Sequence, residues 1–285
     1  GESGTGKELA ARLIHSLSKR ADKQFLEVNC GGLPETLLES LLFGYEKGAF
    51  TGAGQANPGY FEKAHGGNLF LDEIADMSPK LQSSLLRVLQ DHSFTRIGST
   101  QARRADFRLI CATNRSLLGE VKAGRFREDL YYRIAVVTVG LPPLRERAGD
   151  IVPLTAYFLD HYNAKFGKAS GPLTPAALQA LERCRWEGNV RELQHCIERT
   201  VALHAGGPID VAHLFPAGEP SARAAQAAGA APALRYQDAR EEFEQQYFRH
   251  LIDTAGGNMS EAARLSGIPR QNLYVRMKRW GIVTD

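Results

Sequence analysis

The chain opens on Gly1-Glu2-Ser3-Gly4-Thr5-Gly6-Lys7-Glu8. Glycines at this spacing let backbone N–H groups wrap an anion, and the lysine that follows reaches terminal phosphates, so the run reads as a phosphate-binding loop. One position departs from the general pattern. The last residue is ordinarily Ser or Thr, whose hydroxyl ligates magnesium, and here it is Glu8. A second stretch, residues 68–74, is an apolar run that carries two adjacent acids, Asp72 and Glu73, at its end. An apolar strand delivering carboxylates at its C-terminal end, beside a phosphate loop, supplies the other half of a nucleoside triphosphate site. In that reading Asp72 holds magnesium, directly or through water, and Glu73 polarises the attacking water. Neighbours in a strand point to opposite faces, so the pair belongs where the strand ends and turns.

Other residues could join such a site. Asn114 ends a strand-like run at 107–114; it either hydrogen-bonds the water or the γ-phosphate, or serves as a turn residue. Arg125, Arg127 and Arg133 crowd a helix start. Most surface arginines are solvated or ion-paired, but one supplied by a neighbouring subunit accelerates phosphoryl transfer ~10³–10⁵-fold. Arg191 falls in the first turn of a helix, where a cation opposes the helix dipole; a nucleotide phosphate or a surface ion pair would account for it. Residues 44–54 have no regular periodicity, and glycines bracket the lone Phe50. A loop with an apolar tip either meets a partner or tucks the ring into its own domain.

The elements that position these residues follow from periodicity. Leu9, Leu13, Ile14 and Leu17 recur at helical spacing, so the loop opens a helix whose N-terminus faces the phosphates. Residues 25–30 read as a strand. Pro34 starts a helix carrying Leu37, Leu38, Leu41 and Leu42, and Ser78-Pro79 cap and start another with Leu81, Leu85, Leu86 and Leu89. Residues 135–141 are apolar and are expected to close the sheet as its last strand. Residues 1–145 are thus α/β in class, a parallel sheet with flanking helices. Residues 146–215 are expected to be all helical, at 150–163, 175–186 and 190–205. Residues 216–236, rich in Ala, Gly and Pro, read as a flexible linker.

Residues 237–285 form a last, all-helical unit. Phe243, Tyr247, Phe248 and Leu251 share one face of a helix at 239–254, and two short helices follow around Gly267-Ile268. Such a pair, the second helix basic, makes a helix-turn-helix. Between Glu261 and Asp285 the charges are Arg264, Arg270, Arg276, Lys278 and Arg279, all positive. A net charge of +3 over 285 residues demands no polyanionic partner, so this local patch carries the nucleic-acid signal. With 43% hydrophobic and 24% charged residues the chain has the composition of an ordinary globular protein. Cys30, Cys111, Cys184 and Cys196 lack metal-ligand spacing and read as reduced, buried thiols of a cytoplasmic protein. No apolar run reaches membrane-spanning length and no signal peptide is present, so no membrane partner is expected. The chain begins without Met and without the strand that precedes a phosphate loop, and reads as part of a longer protein with an N-terminal part upstream.

These motifs, in this order, resemble over nearly the whole chain the bacterial enhancer-binding proteins that activate sigma-54 RNA polymerase, the NtrC type of AAA+ ATPase. The family's phosphate loop reads GESGTGKE, which makes Glu8 a family feature. Most diagnostic is Gly48-Ala49-Phe50-Thr51-Gly52-Ala53, the GAFTGA loop, which in the family contacts sigma-54; the resemblance implies a partner contact for Phe50. It implies ATP and Mg2+ as ligands. Gly1, Glu2, Ser3, Gly4, Thr5, Gly6, Lys7 and Glu8 would then surround the nucleotide, with Arg191 as sensor II and Asp72 at the metal. Asp72 and Glu73 match the Walker B acids, and Asn29 the asparagine that restrains the catalytic glutamate. Asn114 matches sensor I, while Arg127 and Arg133 match arginine fingers supplied in trans.

The end of the chain, with residues 257–264, Gly267-Ile268 and Leu273-Tyr274, resembles a Fis-type DNA-binding domain. Arg270, Gln271, Asn272 and Tyr274 are candidates for base or phosphate contacts, and Arg276, Lys278 and Arg279 for phosphates; Arg264 belongs to the same basic patch. The implied protein is a sigma-54-dependent activator whose dimers bind double-stranded enhancer DNA at half-sites roughly 34 Å apart. Its AAA+ domains form a ring of six or seven subunits with ATP at each interface. Hydrolysis moves the Phe50 loop and converts the closed promoter complex to the open one. Family members that repress, or act on ordinary polymerase, lack an intact GAFTGA loop. Helicases, helicase loaders and unfoldases need neither that loop nor a Fis-type domain behind a linker.

Overall fold

The computed structural model describes residues 1–216 and, beyond them, residues 248, 251–252, 254–256, 258–266, 268, 271, 273–274 and 277. Two compact units are present, Gly1–Pro216 and Ala217–Asp285.

In the first unit the phosphate loop enters α1 (Lys7–Ser16), followed by β1 (Phe25–Asn29), α2 (Glu35–Phe43), the short strands β2 (Gly44–Tyr45) and β3 (Asn57–Pro58), α3 (Tyr60–Lys63) and β4 (Asn68–Asp72). Next come α4 (Pro79–Asp91), a hairpin of β5 (Ser93–Thr95) and β6 (Ala102–Arg104), β7 (Arg108–Cys111), α5 (Leu117–Lys122) and α6 (Glu128–Ile134). Strands β1, β4 and β7 pair in parallel with β4 in the centre, Asn29 opposite Asp72 and Cys111 opposite Leu71. Every β4 residue from Asn68 to Leu71 is buried, as a central parallel strand covered on both faces must be. Leu38 and Leu42 of α2 and Leu81 and Leu85 of α4 pack with Leu69 and Leu71 in one core. The expected cap of α4 forms: Leu81 N donates to Ser78 Oγ at 3.3 Å, with Pro79 in the first turn.

Residues 135–141 depart from expectation. They form a turn and an irregular stretch without a ladder, and Val136, Val137 and Val139 are 80%, 82% and 65% exposed. Apolar composition permits a strand, but only a paired neighbour creates one, and no described strand pairs with this stretch. Leu9, Leu13 and Leu17 show that α1 likewise leaves much of its apolar face uncovered.

Two 3₁₀ turns, Leu144–Glu146 and Ala148–Asp150, lead to a helical lid. It comprises α7 (Ile151–Phe166), β8 (Ser170–Leu173), α8 (Pro175–Arg183), α9 (Asn189–Leu203), β9 (Gly207–Ile209) and α10 (Val211–Leu214). The three expected helices are α7, α8 and α9; the small parallel β8–β9 ladder between them has no periodic signal in the sequence. Trp186 is buried within the lid, between α8 and α9 in the chain, with Nε1 donating to Leu181 O at 2.8 Å. Among the described residues no helix is long and apolar enough to cross a membrane.

In the second unit, Asn258 Oδ1 accepts from Ser260 N at 3.0 Å at the start of α11 (Met259–Ser266). Phe248, Leu251, Ala255, Ala262, Leu273 and Met277 form its core. The residues expected to form the linker lie, except for Pro216, outside the described residues.

Candidate functional site

The phosphate loop is shaped by its glycines and by the lid. Gly4 has φ +76°, and a Cβ there would sit 2.2 Å from Gly188 O, so no other residue fits. Gly6, at φ +96°, turns the chain into α1. Lys7 Nζ donates back to Gly1 O at 3.0 Å and Glu2 O at 2.8 Å. Burial lowers the lysine's pKa, Asp72 and Glu73 oppose that shift, and Arg191 adds to it.

Asp72 ends β4, and Glu73 leaves it in a left-handed conformation, φ +52°. That is the expected turn between the two carboxylates, and it is fixed by Glu73 N donating to Asp72 Oδ1 at 2.9 Å. A left-handed residue with a Cβ costs about 1 kcal/mol, and such strain concentrates at functional sites. Glu73 Oε2 lies over Gly31, where an added Cβ would be 2.6 Å away. Asn29 Oδ1 in turn accepts from Gly31 N and Gly32 N, both at 2.9 Å. Asn29 therefore shapes the turn on which the Glu73 carboxylate rests.

Asn114 is exposed just beyond β7, and Gly1 N donates to Thr113 O at 3.4 Å, so this strand end borders the loop. Glu8 sits on the side of α1 and pairs with Arg12 at 3.0 Å. A cleft of about 460 Å³ opens between α1 and the lid, lined by Thr5, Gly6, Leu9, Ala10, Leu141, Arg147, Asp150, Pro153, Leu154 and Val190. Its mostly apolar wall beside a phosphate loop suits a nucleoside. Among the described residues no cluster of three His, Cys, Asp or Glu could hold a metal by itself. One carboxylate beside a phosphate site is nonetheless what Mg2+ requires, since it takes its other ligands from phosphates and water.

From the lid, Arg191 Nη1 donates to Ser3 Oγ at 3.1 Å, bringing this arginine onto the loop. Glu2 faces away from the anion pocket, towards Arg145 Nη2 at 2.6 Å and Nη1 at 2.8 Å. Those bonds, with one from Asn189, hold its pKa down at about 2. Sequence reasoning assigns no role to Arg145, Arg147 or Asn189, because their partners in the loop lie at least 142 positions away.

Arg127 is bound through Nε and Nη2 to Asp129, at 3.0 and 2.6 Å, and through Nη1 to Ser83 at 3.2 Å. Arg133 Nη2 donates to Leu89 O at 2.7 Å. Both are exposed on the α6 side, bonded to neighbours on α4 and α6 and to neither acid of β4. Exposed pairs of this kind exchange readily for another anion.

The Gly48–Ala53 loop is the tip of the β2–β3 hairpin. Gly48 N donates to Ala53 O at 2.9 Å, and Ala53, buried, donates to Phe50 O at 3.0 Å. Phe50 is 46% exposed, its ring edge-on to Tyr45 at 4.9 Å between centroids. At the root, Arg96 bonds Glu62 at 2.8 Å and Glu46 at 3.2 Å, and Arg103 bonds both acids at 3.4 Å. Arg96 is only 11% exposed, so these four charges tie the loop firmly to the β5–β6 hairpin.

In the second unit Gln271 and Tyr274 are exposed while Leu273 and Met277 are buried, which places the two polar candidates on the outer face. Arg264 is exposed and paired with Glu261 at 2.9 Å. Arg270, Asn272, Arg276, Lys278 and Arg279 lie outside the described residues. Among the described residues no cysteine is in a disulfide; burial, the largest cause, pushes Cys30 up to about 12 and Cys184 to about 11.

A phosphate loop opening a helix, acids at the end of the central parallel strand and a helical lid bearing an arginine define a P-loop ATPase of the AAA+ class. Residues 1–140 match the family model of the sigma-54 interaction domain, residues 145–231 that of the AAA+ ATPase lid domain, and residues 239–280 that of the bacterial regulatory proteins of the Fis family. The chain is 47% identical over 281 residues to the transcriptional regulatory protein ZraR of Klebsiella oxytoca, covering 98% of this chain and 62% of that one. It is 56% identical over 212 residues to the Nif-specific regulatory protein of Azospirillum brasilense, covering 73% and 33%. The crystal structure of NtrX from Brucella abortus in complex with ATP is similar with a TM-score of 0.73 at 35% identity, over 99% of this chain and 63% of that one. The chain thus carries, in this order, a sigma-54 interaction domain, an AAA+ lid domain and a Fis-family domain, and it spans less than two thirds of the length of these relatives.

Proposed function

We propose that this protein is a cytoplasmic, ATP-driven activator of the sigma-54 RNA polymerase holoenzyme. In this reading residues 1–145 and 146–215 are the two parts of the ATPase, residues 216–236 a linker, and residues 237–285 the binder of enhancer DNA. One observation carries it: α2 runs from the Asn29–Gly32 turn beneath Glu73 directly to Gly44, the root of the Phe50 loop. A change at the catalytic carboxylate therefore has a rigid path to the loop.

ATP binds with its phosphates in the glycine loop and its base in the cleft beside α1. Asp72 would hold Mg2+, which would neutralise negative charge on the phosphates. Lys7 and Arg191 bind the phosphate oxygens from opposite sides, and Asn114 orients the attacking water. Glu73 accepts the water's proton as its oxygen approaches phosphorus. Arg127 and Arg133 exchange their present partners for the γ-phosphate of a neighbouring subunit, which makes the site complete only in a ring. Dimers are the inactive form, and assembly exposes the Phe50 loops of the ring to sigma-54.

Two experiments test this reading. Full-length, activated protein with holoenzyme and a supercoiled cognate promoter should make the melted strand permanganate-reactive with ATP and not with a non-hydrolysable analogue. Normal DNA binding and ATP turnover without melting would favour a repressor instead. For the trans arginines, Glu73→Gln and Arg127→Ala should each be inactive alone. Mixed in equal amounts, random assortment leaves about a quarter of the interfaces intact, so turnover should reappear. If it does not, Arg127 acts within its own subunit or not at all.

A further inference from the structure

An acid in second position is electrostatically wrong for an anion-binding loop, yet Glu2 stands there. The side chain resolves the conflict by turning to the lid, where both of its oxygens meet Arg145. Asn189 joins the same contact. It is fully buried and holds φ +55°, a left-handed conformation that asparagine tolerates better than most residues with a Cβ. Its side chain bonds both parts of the ATPase unit: Oδ1 accepts from Leu144 N at 2.8 Å, while Nδ2 donates to Ser3 O at 2.9 Å, to Glu2 Oε2 at 3.2 Å and to Glu187 O at 3.3 Å. Val190 N donates to Gly4 O at 3.0 Å, and Arg147 Nη2 to Thr5 O at 2.8 Å. Three successive loop carbonyls, those of Ser3, Gly4 and Thr5, thus accept bonds from the lid or its hinge.

We propose that Glu2 and Asn189 are positioning residues that fasten the lid to the phosphate loop and thereby set where Arg191 stands at the nucleotide. The proposal rests on the ATPase reading. Arg191 follows Asn189 by two residues in the same first turn of α9, and its one bond to the loop, to Ser3 Oγ, is made beside the Asn189 bond to Ser3 O. A fixed Asn189 leaves the arginine little freedom in where it enters the site. Glu2 then acts on the nucleotide through Arg145 and Asn189, with no phosphate contact of its own.

The test uses full-length, ring-competent protein, with affinity measured for a fluorescent ATP analogue and turnover at saturating ATP. Glu2→Ala and Arg145→Ala should each weaken binding about three- to fivefold, as expected for one half-exposed charged contact. The double variant should be no weaker than Glu2→Ala alone, because Glu2→Ala already removes the Arg145 contact, and Arg145→Lys should retain most of the affinity. Asn189→Gly keeps the left-handed backbone and deletes the side-chain bonds. It should weaken binding about tenfold and lower saturating turnover as well, since Arg191 is released. Additive losses in the double variant would overturn the proposal. So would a loss with Glu2→Ala that persists when Arg145 and Asn189 are both already replaced, which would put Glu2 on the nucleotide, or an unchanged affinity in Asn189→Gly. A wild type that binds the analogue without turning over ATP would sink the ATPase reading, and the affinity cycle would still judge the lid contact.

Discussion

Replacing Glu73 by glutamine will leave ATP bound and stop its hydrolysis. The substitution keeps the side chain's length and shape, and the backbone bond from residue 73 to Asp72 Oδ1 does not involve the side chain that changes. The left-handed backbone at this position is set by the strand end and by Ile74 N donating to Ala112 O at 3.0 Å, so the fold has no reason to move. What disappears is the proton acceptor, and positioned general bases contribute typically ~10²–10⁴ to rate. Affinity should hold or rise slightly, because a carboxylate facing the γ-phosphate is lost while Lys7 and Arg191 remain. Phosphate release and equilibrium ATP binding on the same preparation separate the two effects. Turnover within tenfold of wild type would move the base to another residue. Lost binding would make Glu73 a structural group.

The parts of this site that were legible in sequence are those written in local chemistry. Glycine spacing gave the loop, an apolar run ending in Asp72-Glu73 gave the strand and its turn, and Ser78-Pro79 gave a cap that forms as read. Resemblance to the sigma-54 activators supplies expected roles that spacing alone leaves open, such as the partner contact proposed for Phe50. Three things escaped. Residues 135–141 were read as a strand on composition, although pairing depends on a neighbour that no local window contains. The Arg96–Arg103–Glu46–Glu62 cluster escaped because its members are up to 57 residues apart, joined only by the fold. The lid contact escaped for the same reason, with Glu2 and Asn189 separated by 187 positions. A motif reading assigns every residue of GESGTGKE to the nucleotide; tertiary structure sends Glu2 to the lid and Glu8 to Arg12.

Phe50→Ala should abolish promoter melting while ATP turnover stays within about twofold of wild type and enhancer binding is unchanged. The ring is half exposed and touches Tyr45, far along the chain from the loop, acids and lid arginine that make the ATP site. Truncating it forfeits about 1 kcal/mol of burial in the free protein, too little to unfold the domain. A complex that buries the ring completely adds only the burial still missing in the free protein, so the same truncation removes roughly 0.5–2 kcal/mol per contact, or about two- to thirtyfold in binding. Several subunits of a ring lose that contact together, so the effect on polymerase remodelling should be near complete. Phe50→Tyr, which retains the aromatic body, should recover part of the activity if the contact is one of packing. Melting that survives Phe50→Ala would show that force reaches the polymerase through another surface. A parallel fall in ATP turnover would show that the loop, through Glu46 and the charged cluster at its root, also holds the catalytic turn in place.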